Sequence, residues 1–292
     1  MKKIGFIGVG IMGGPMVCNL LKAGFDVHIY ARQKEKQQVQ DVVAQGAVFH
    51  EEKKDVIHGM DAVLTMVGYP SDVREIYFGG DGILETADPG TYVIDMTTSS
   101  PDLAVEIYEE AKKRGLHALD APVTGGDAGA KAGTLSILAG GEQGDFESCL
   151  PLFQAMGKTI VHEGPAGMGQ HTKMANQIMI AGTLSGVCEA VAYAKAKGLD
   201  CEKLLESVLG GAAASRQLEL LGPKILAGDY EPGFFIKHFI KDMKLALEGA
   251  NKEGLQLDVL QEVLNHYLLL SAQGYGEEGT QALIRYYMEQ DS

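Results

Sequence analysis

The chain is poor in cations, in cysteine and in long apolar runs. Lysine and arginine total 25 against 39 aspartates and glutamates, a formal net charge of −14 over 292 residues. With no excess of cation to neutralise phosphates, general binding to nucleic acid or to an anionic membrane surface is excluded, while a local basic pocket stays open. The four cysteines, Cys18, Cys149, Cys188 and Cys201, are scattered without a CxxC pair. That spacing fits neither a zinc site nor a disulfide framework, and reduced, partly buried thiols are expected. The histidines form no HExxH or other metal-ligand spacing. No metal is therefore expected, and no Ser–His–Asp arrangement can be read from the order of residues. No apolar run approaches the roughly 18 residues of a membrane span, and no charged-then-apolar leader precedes a small-residue cleavage site. A cytoplasmic protein is expected. The remaining composition, 46% hydrophobic and 22% charged, is that of a globular chain, and its length suggests about two domains.

The first half alternates short β-rich runs with helical patterns. Strands are expected at Ile4–Ile7, Val27–Tyr30, Ala62–Met66, Tyr92–Asp95 and His117–Ala121, then at Thr134–Ala139 and Lys158–His162. Helices are expected at Pro15–Ala23, Glu35–Ala44, Asp72–Tyr77, Leu103–Lys113 and around Asp145–Met156. Such alternation implies parallel strands joined by crossover helices. After Gly164-Pro165-Ala166-Gly167 the strands stop. A long helix is expected from Gln170 to Lys197, apolar nearly all round from Met174 to Ala194, which calls for burial in a core or between subunits. Further helices follow at Cys201–Leu209, Ser215–Leu221, Lys237–Asn251, Asp258–Gln273 and Gln281–Met288. The expected domains are 1–164 and 165–292.

Gly8-Val9-Gly10-Ile11-Met12-Gly13 lies between the first strand and the first helix. In that βαβ setting the spacing is a dinucleotide-binding fingerprint. The first glycine makes the tight turn, the second lets the backbone approach a pyrophosphate, and the third packs helix against strand. The following helix offers unpaired N–H groups to the phosphates. At the end of the second strand a carboxylate would bind the ribose of NAD. This chain instead reads Ala31-Arg32, with Lys34 and Lys36 following. Fixed positive charge there favours a 2′-phosphate and hence NADP(H). The bland alternative is a solvated helix start, which three basic residues at a helix N-terminus make unfavourable.

Three other stretches carry chemistry. "DMTTSSP" ends a strand and places Thr97 and Thr98 where open α/β sheets bind ligands, with Ser99 or Ser100 available as an N-cap before Pro101. "DAPVTGGDAGAKAG" brings Thr124, Gly125 and Gly126 into a turn able to hold a carboxylate. "GQHTKMANQ" opens the long helix, with Lys173, Asn176 and Gln177 at i, i+3 and i+4 on one face. Lys173 is either a surface lysine or a proton donor and acceptor with Asn176 orienting the reacting oxygen. In "FFIKHFIKDMK" the lysines at 237, 241 and 244 repeat at helical spacing, so a solvated basic face explains most of them, and His238 reads as structural.

Taken in order, GFIGVGIMGGPM, DMTTSSP, DAPVTGGDAGAKAGTLSILAGG, KMANQ and FFIKHFIKD resemble the β-hydroxyacid dehydrogenase family over essentially the whole chain. Its members include 3-hydroxyisobutyrate dehydrogenase, tartronate semialdehyde reductase and the glyoxylate/succinic semialdehyde reductases. The resemblance implies an α/β fold: a Rossmann-like N-terminal domain, an all-helical C-terminal domain and a long interdomain helix, with the active site in the cleft. It implies that Lys173 is catalytic and that Asn176 assists and touches substrate. The cofactor contacts it implies are Gly8 through Gly13 (with Val9, Gly10, Ile11 and Met12), Arg32, Lys36, Met66, Val67, Thr98 and Lys241. Thr98, Thr124, Gly125, Gly126, Phe234 and Asp242 are implied on the substrate side. Thr124 stands where serine is usual and keeps the hydroxyl; Gln177 replaces the second asparagine of many relatives. The loop "MVGYPSDV" differs from several members, so substrate choice is not carried over. The implied reaction is NADPH-dependent interconversion of a small carboxylate-bearing aldehyde and its hydroxy acid, with succinic semialdehyde, glyoxylate or a related semialdehyde as candidates. An imine reductase, a 6-phosphogluconate dehydrogenase (for which the chain is short) and a non-catalytic NADPH-binding scaffold are the rival readings. The apolar long helix favours self-association as a dimer or tetramer.

Overall fold

A computed structural model describes residues 1–288; the last residues of the expected second domain, 289–292, lie outside the described residues. The chain divides into two compact units, Met1–Lys173 and Met174–Ser292.

Unit 1 runs β1 (Lys3–Ile7), α1 (Gly13–Lys22), β2 (Asp26–Tyr30), α2 (Gln37–Ala44), β3 (Val48–Phe49), β4 (Ala62–Thr65), α3 (Pro70–Phe78), α4 (Ile83–Thr86), β5 (Tyr92–Asp95), α5 (Pro101–Lys113), β6 (His117–Asp120), β7 (Val123–Thr124), α6 (Gly126–Ala132), β8 (Leu135–Gly141), α7 (Gln143–Met156) and β9 (Gly157–Gly164). One sheet has the order β3-β2-β1-β4-β5-β6-β8-β7, with β9 on β8. From β3 to β6 every pairing is parallel, and β8 runs antiparallel to β6 and β7. The order 3-2-1-4-5-6 is that of a doubly wound dinucleotide-binding sheet, whose strand order reverses between β1 and β4.

Helices cover both faces, which is why the central strands read as continuous apolar runs. Successive side chains point to opposite faces. Ile4, Phe6 and Leu64 pack with Met16, Leu20, Val39 and Phe153 from α1, α2 and α7. Ile7, Val63 and Val93 pack with Val73, Ile76, Ile83 and Ile107 from α3, α4 and α5. Full burial of each such side chain stabilises the fold by about 1.5–3 kcal/mol.

The short elements β3, β7, α4 and α6 lie where only loops were expected. Helix α2 starts at Gln37, with Lys36 as its N-cap residue rather than inside it. Ser100, not Ser99, caps α5, its side chain accepting from the Leu103 amide.

The long helix α8 spans Met168–Ala196. The expected boundary at 164–165 coincides with the end of β9; the opening of α8, through Lys173, belongs with unit 1. Unit 2 continues with α9 (Cys201–Leu209), α10 (Arg216–Ala227), α11 (Ile236–Lys252), α12 (Asp258–Ala272), a 3₁₀ turn at Thr280–Leu283 and α13 (Ile284–Met288). Among the described residues it has no strand, only an isolated bridge between Phe235 and Gly279. Helix α10 passes through Pro223 to Ala227, whereas the sequence suggested a stop at Leu221.

Contrary to expectation, α8 is long and apolar enough to cross a membrane by length and composition. Core packing accounts for much of that character. Ala181, Leu184, Cys188 and Val191 are buried with Phe239, Met243, Leu264 and Tyr267 of α11 and α12. The opposite stripe is open: Met179 is 65% and Tyr193 62% exposed.

Candidate active site

The glycine turn joins β1 to α1 at the point where the strand order reverses. Gly8 has φ +103°, and a Cβ there would collide with the Met66 carbonyl. A Cβ on Gly13 would collide with the Gly8 carbonyl, so α1 packs against the turn only with glycine at this position. A Cβ on Gly10, by contrast, would enter open space, and Ile11 beside it is exposed. The turn thus presents bare backbone at Gly10 and the first amide groups of α1, after the N-cap residue Met12, as a phosphate cradle requires. Val9 is buried beneath it. The Gly8 amide is spent on the Tyr30 carbonyl at 3.2 Å, which ties the turn to the end of β2.

A hydrogen-bonded frame holds the neighbouring strand ends. Asp95 Oδ1 accepts from the Thr65 hydroxyl at 2.8 Å and from the Thr97 amide at 3.1 Å. The Thr97 hydroxyl accepts from the Val67 amide at 3.0 Å. Val67 and Thr97 are therefore tied together, and the Met66 amide, donating to the Ile7 carbonyl at 3.0 Å, ties β4 to the end of β1 just before the glycine turn. Burial pushes the Asp95 carboxyl up to about 6, against the pull of its hydrogen bonds from Thr97 and Thr65. Asp120, its register partner on β6, is raised as well, again by burial. Thr98 is half-buried beside this frame.

Arg32 is exposed and shared between two acids of α3, Asp72 Oδ1 and Glu75 Oε2, each 3.1 Å from its Nη2. Lys34 Nζ pairs with Glu51 at 2.5 Å, and Lys36 is exposed. Thr124 ends β7, and Gly125 and Gly126 follow as exposed, positive-φ residues at the start of α6.

Lys173 is 6% exposed, which removes the surface-lysine reading. Asn176 and Gln177 come one turn later on the same continuous helix. In unit 2 the Asn176 amide donates to Gln177 Oε1 at 2.7 Å, and Gln177 Nε2 donates to Asp242 Oδ2 at 2.7 Å. Asp242 Oδ1 lies 3.1 Å from Lys241 Nζ, with both side chains largely buried. Of the three lysines at helical spacing Lys241 is thus the one turned inward, while Lys237 stays outside and pairs with Glu277 at 2.6 Å. Phe234 is half-buried and packs on Phe239 with ring centroids 5.5 Å apart. Burial lowers His238, helped by Lys241 and Lys237.

Sequence reasoning passed over Asp95, Asp120 and Gln170. The only signal was an aspartate closing each of two apolar strands, where a charge has no place unless it is hydrogen-bonded.

Residues 3–164 match the family described as the NAD binding domain of 6-phosphogluconate dehydrogenase. Residues 167–287 match the one described as NAD-binding of NADP-dependent 3-hydroxyisobutyrate dehydrogenase. The chain is 50% identical to an uncharacterized oxidoreductase, YkwC, of Bacillus subtilis (strain 168), over 99% of each chain. It is 38% identical to the NAD-dependent L-serine dehydrogenase of Pseudomonas aeruginosa over 95% of each. It is 37% identical to the 2-hydroxy-3-oxopropionate reductase of Escherichia coli (strain K12) over 90% of each. The Mycobacterium tuberculosis 3-hydroxyisobutyrate dehydrogenase, solved with L-serine, superposes with a TM-score of 0.88 at 28% identity, covering 98% of each chain.

Proposed function

Since the chain belongs to the β-hydroxyacid dehydrogenase family of NAD(P)-dependent oxidoreductases, we propose that it reduces a small carboxylate-bearing aldehyde to its hydroxy acid with NADPH. The observation that carries this reading is Lys173, a buried amine at the start of α8, in the unit that holds the glycine turn. A bound nicotinamide would supply the hydride. The residues of the chain do the rest. Gly8, Gly10, Gly13 and the first turn of α1 hold the pyrophosphate, with Val9, Ile11, Met12, Met66, Val67, Thr98 and Lys241 as further cofactor contacts. Thr124, Gly125 and Gly126 take the substrate carboxylate, and Thr98, Phe234 and Asp242 complete the substrate side. Lys173, as an ammonium, gives the proton that turns the forming alkoxide into a hydroxyl, and Asn176 orients that oxygen. In the reverse direction neutral Lys173 takes the proton back.

Arg32 and Lys36 support NADP(H) over NAD(H), because a guanidinium matches a 2′-phosphate and no carboxylate stands in its place. The NAD dependence of the Pseudomonas relative is the competing possibility. The semialdehyde class is supported by the Escherichia coli relative, and the serine-oxidising relative makes a 3-hydroxy acid the natural substrate for the reverse assay. The open stripe of α8 supports a homo-oligomer, dimer or tetramer. The unpaired thiols Cys18, Cys149, Cys188 and Cys201 suit a cytoplasmic location.

Replacing Lys173 with alanine should lower turnover roughly 10²–10⁴-fold, the span of general acid–base catalysis. The assay follows NADPH absorbance across glyoxylate, succinic semialdehyde and other semialdehydes. Turnover near the wild-type rate in Lys173→Ala removes the assignment. Greater thermal stabilisation by NAD⁺ than by NADP⁺ removes the cofactor preference.

A further inference from the structure

Helix α8 begins in an unusual way. The residue before its first turn is Gly167, which has no side chain to cap it. The carboxylate that satisfies it comes from the end of β6: Asp120 Oδ1 accepts from the Gly167 amide at 2.7 Å and Oδ2 from the Gln170 amide at 2.8 Å. The Gln170 side chain then bridges to the loop after β5. Its Oε1 accepts from the Ser99 amide at 2.9 Å, and its Nε2 donates to the Thr97 carbonyl at 2.7 Å. Gln170 is fully buried and Asp120 nearly so. Close approach is built in. A Cβ on Gly169 would collide with the Leu138 carbonyl, and one on Gly140 would crowd the Asp120 carboxylate and the Gly169 amide.

We infer that Asp120 and Gln170 are positioning residues for Lys173, locking the first turn of α8 in height and rotation against the Thr97–Ser99 loop. The inference rests on the catalytic reading of Lys173. Lys173 is the third residue after Gln170, close to one turn further along, so any slip of that turn carries the amine with it. Asp120 fixes the amide just before the helix and one in its first turn, and Gln170 fixes the loop that carries Thr98. The proton donor Lys173 and Thr98, a contact of cofactor and substrate, are thereby held to a common reference. An error of about 1 Å in such placement costs up to about 10²-fold in rate. A carboxylate beside the helix N-terminus also suits the helix dipole, which explains why the sequence tolerates a buried acid here.

The test uses Gln170→Met, which keeps the length and loses both hydrogen bonds, and Asp120→Asn, which keeps the shape and turns one acceptor into a donor. In the free protein, amide exchange at Ser99 should quicken in Gln170→Met. Reductive methylation of Lys173 with formaldehyde, followed by peptide mass spectrometry, should change rate at least fivefold in both variants. With glyoxylate or succinic semialdehyde and NADPH, kcat per folded molecule should fall 10- to 100-fold, by more than any rise in KM or in the coenzyme dissociation constant. A helix cap with only a structural role would lower the melting temperature and leave kcat per folded molecule and Lys173 labelling unchanged; that result overturns the inference. If Gln170→Met does not fold, Asp120→Asn decides by the same readouts. If neither aldehyde is turned over, the labelling arm decides alone. Full activity in Lys173→Ala would sink the catalytic reading separately, whatever the labelling shows.

Discussion

Asp95 shows how a single residue sets terms for the site around it. Its carboxyl is buried at a strand end and holds Thr65 and Thr97 in place. Burial in the folded protein pushes its pKa up to about 6, from an ordinary value near 3.8. A raised folded value means that its contribution to stability is full below about pH 4 and is lost as the pH climbs through 6, because charging it is harder in the fold than in the unfolded chain. The span is worth about 3 kcal/mol. Asp95→Asn keeps the accepting oxygen and abolishes the titration. Urea unfolding of the two proteins from pH 4 to pH 7 should therefore diverge by that amount, with the wild type losing ground as the pH rises. Parallel curves would contradict the burial argument. Arg32 poses a different question, since its guanidinium already has two carboxylates. Exposed ion pairs contribute at most about 1 kcal/mol each, so a 2′-phosphate can compete, at a cost. Asp72→Asn combined with Glu75→Gln should tighten NADP⁺ roughly three- to tenfold on that scale and leave NAD⁺ unchanged. Equal effects on both coenzymes, measured by calorimetry, would dissociate Arg32 from the 2′ position.

At the scale of elements, α8 is the piece on which unit 2 is built. Leu184 is completely buried on its inner face among residues of α11 and α12. Leu184→Ala should cost about 2–5 kcal/mol, depending on how far the cavity collapses. Denaturant melts would show this, and a loss below 1 kcal/mol would mean the core is looser than its burial implies. Elements of this kind were legible in the sequence because their signals are long. The buried strands β1, β4, β5 and β6 are runs of apolar and β-branched residues, and α8 and α11 have many turns over which to show a pattern. What stayed hidden was short or locally contradictory. Strands β3 and β7 are two residues each. Helix α6 is built from GDAGAKA, whose glycines argue against a helix until packing is known. Helix α10 runs through Pro223 because surrounding packing outweighs the lost hydrogen bond. The site was legible where backbone chemistry dictates residue type, as in the glycine turn. The Asp120–Gln170 bridge joins residues fifty positions apart, and only the pairing of strands brings them together.

For the molecule as a whole, the charge of −14 and the exposed stripe of α8 pull in different directions. Repulsion keeps copies apart, while Met179 and Tyr193, on one side of the helix, favour joining them. Val259 of α12 adds to that surface, its methyl lying 3.7 Å from where a Cβ on Gly182 would stand. Large exposed apolar patches mark association surfaces. Sedimentation velocity should find an assembly larger than one chain, reduced in size by Met179→Glu with Tyr193→Glu. A monomeric wild type would refute self-association.

The continuity of α8 has one more consequence. Lys173, Asn176 and Gln177 occur in a single unbroken helix. One extra residue between positions 173 and 176 would swing every later side chain by about 100° around the axis. This stretch can therefore accept substitutions but not insertions or deletions, and chains descended from a common ancestor that keep the chemistry should keep its length to the residue.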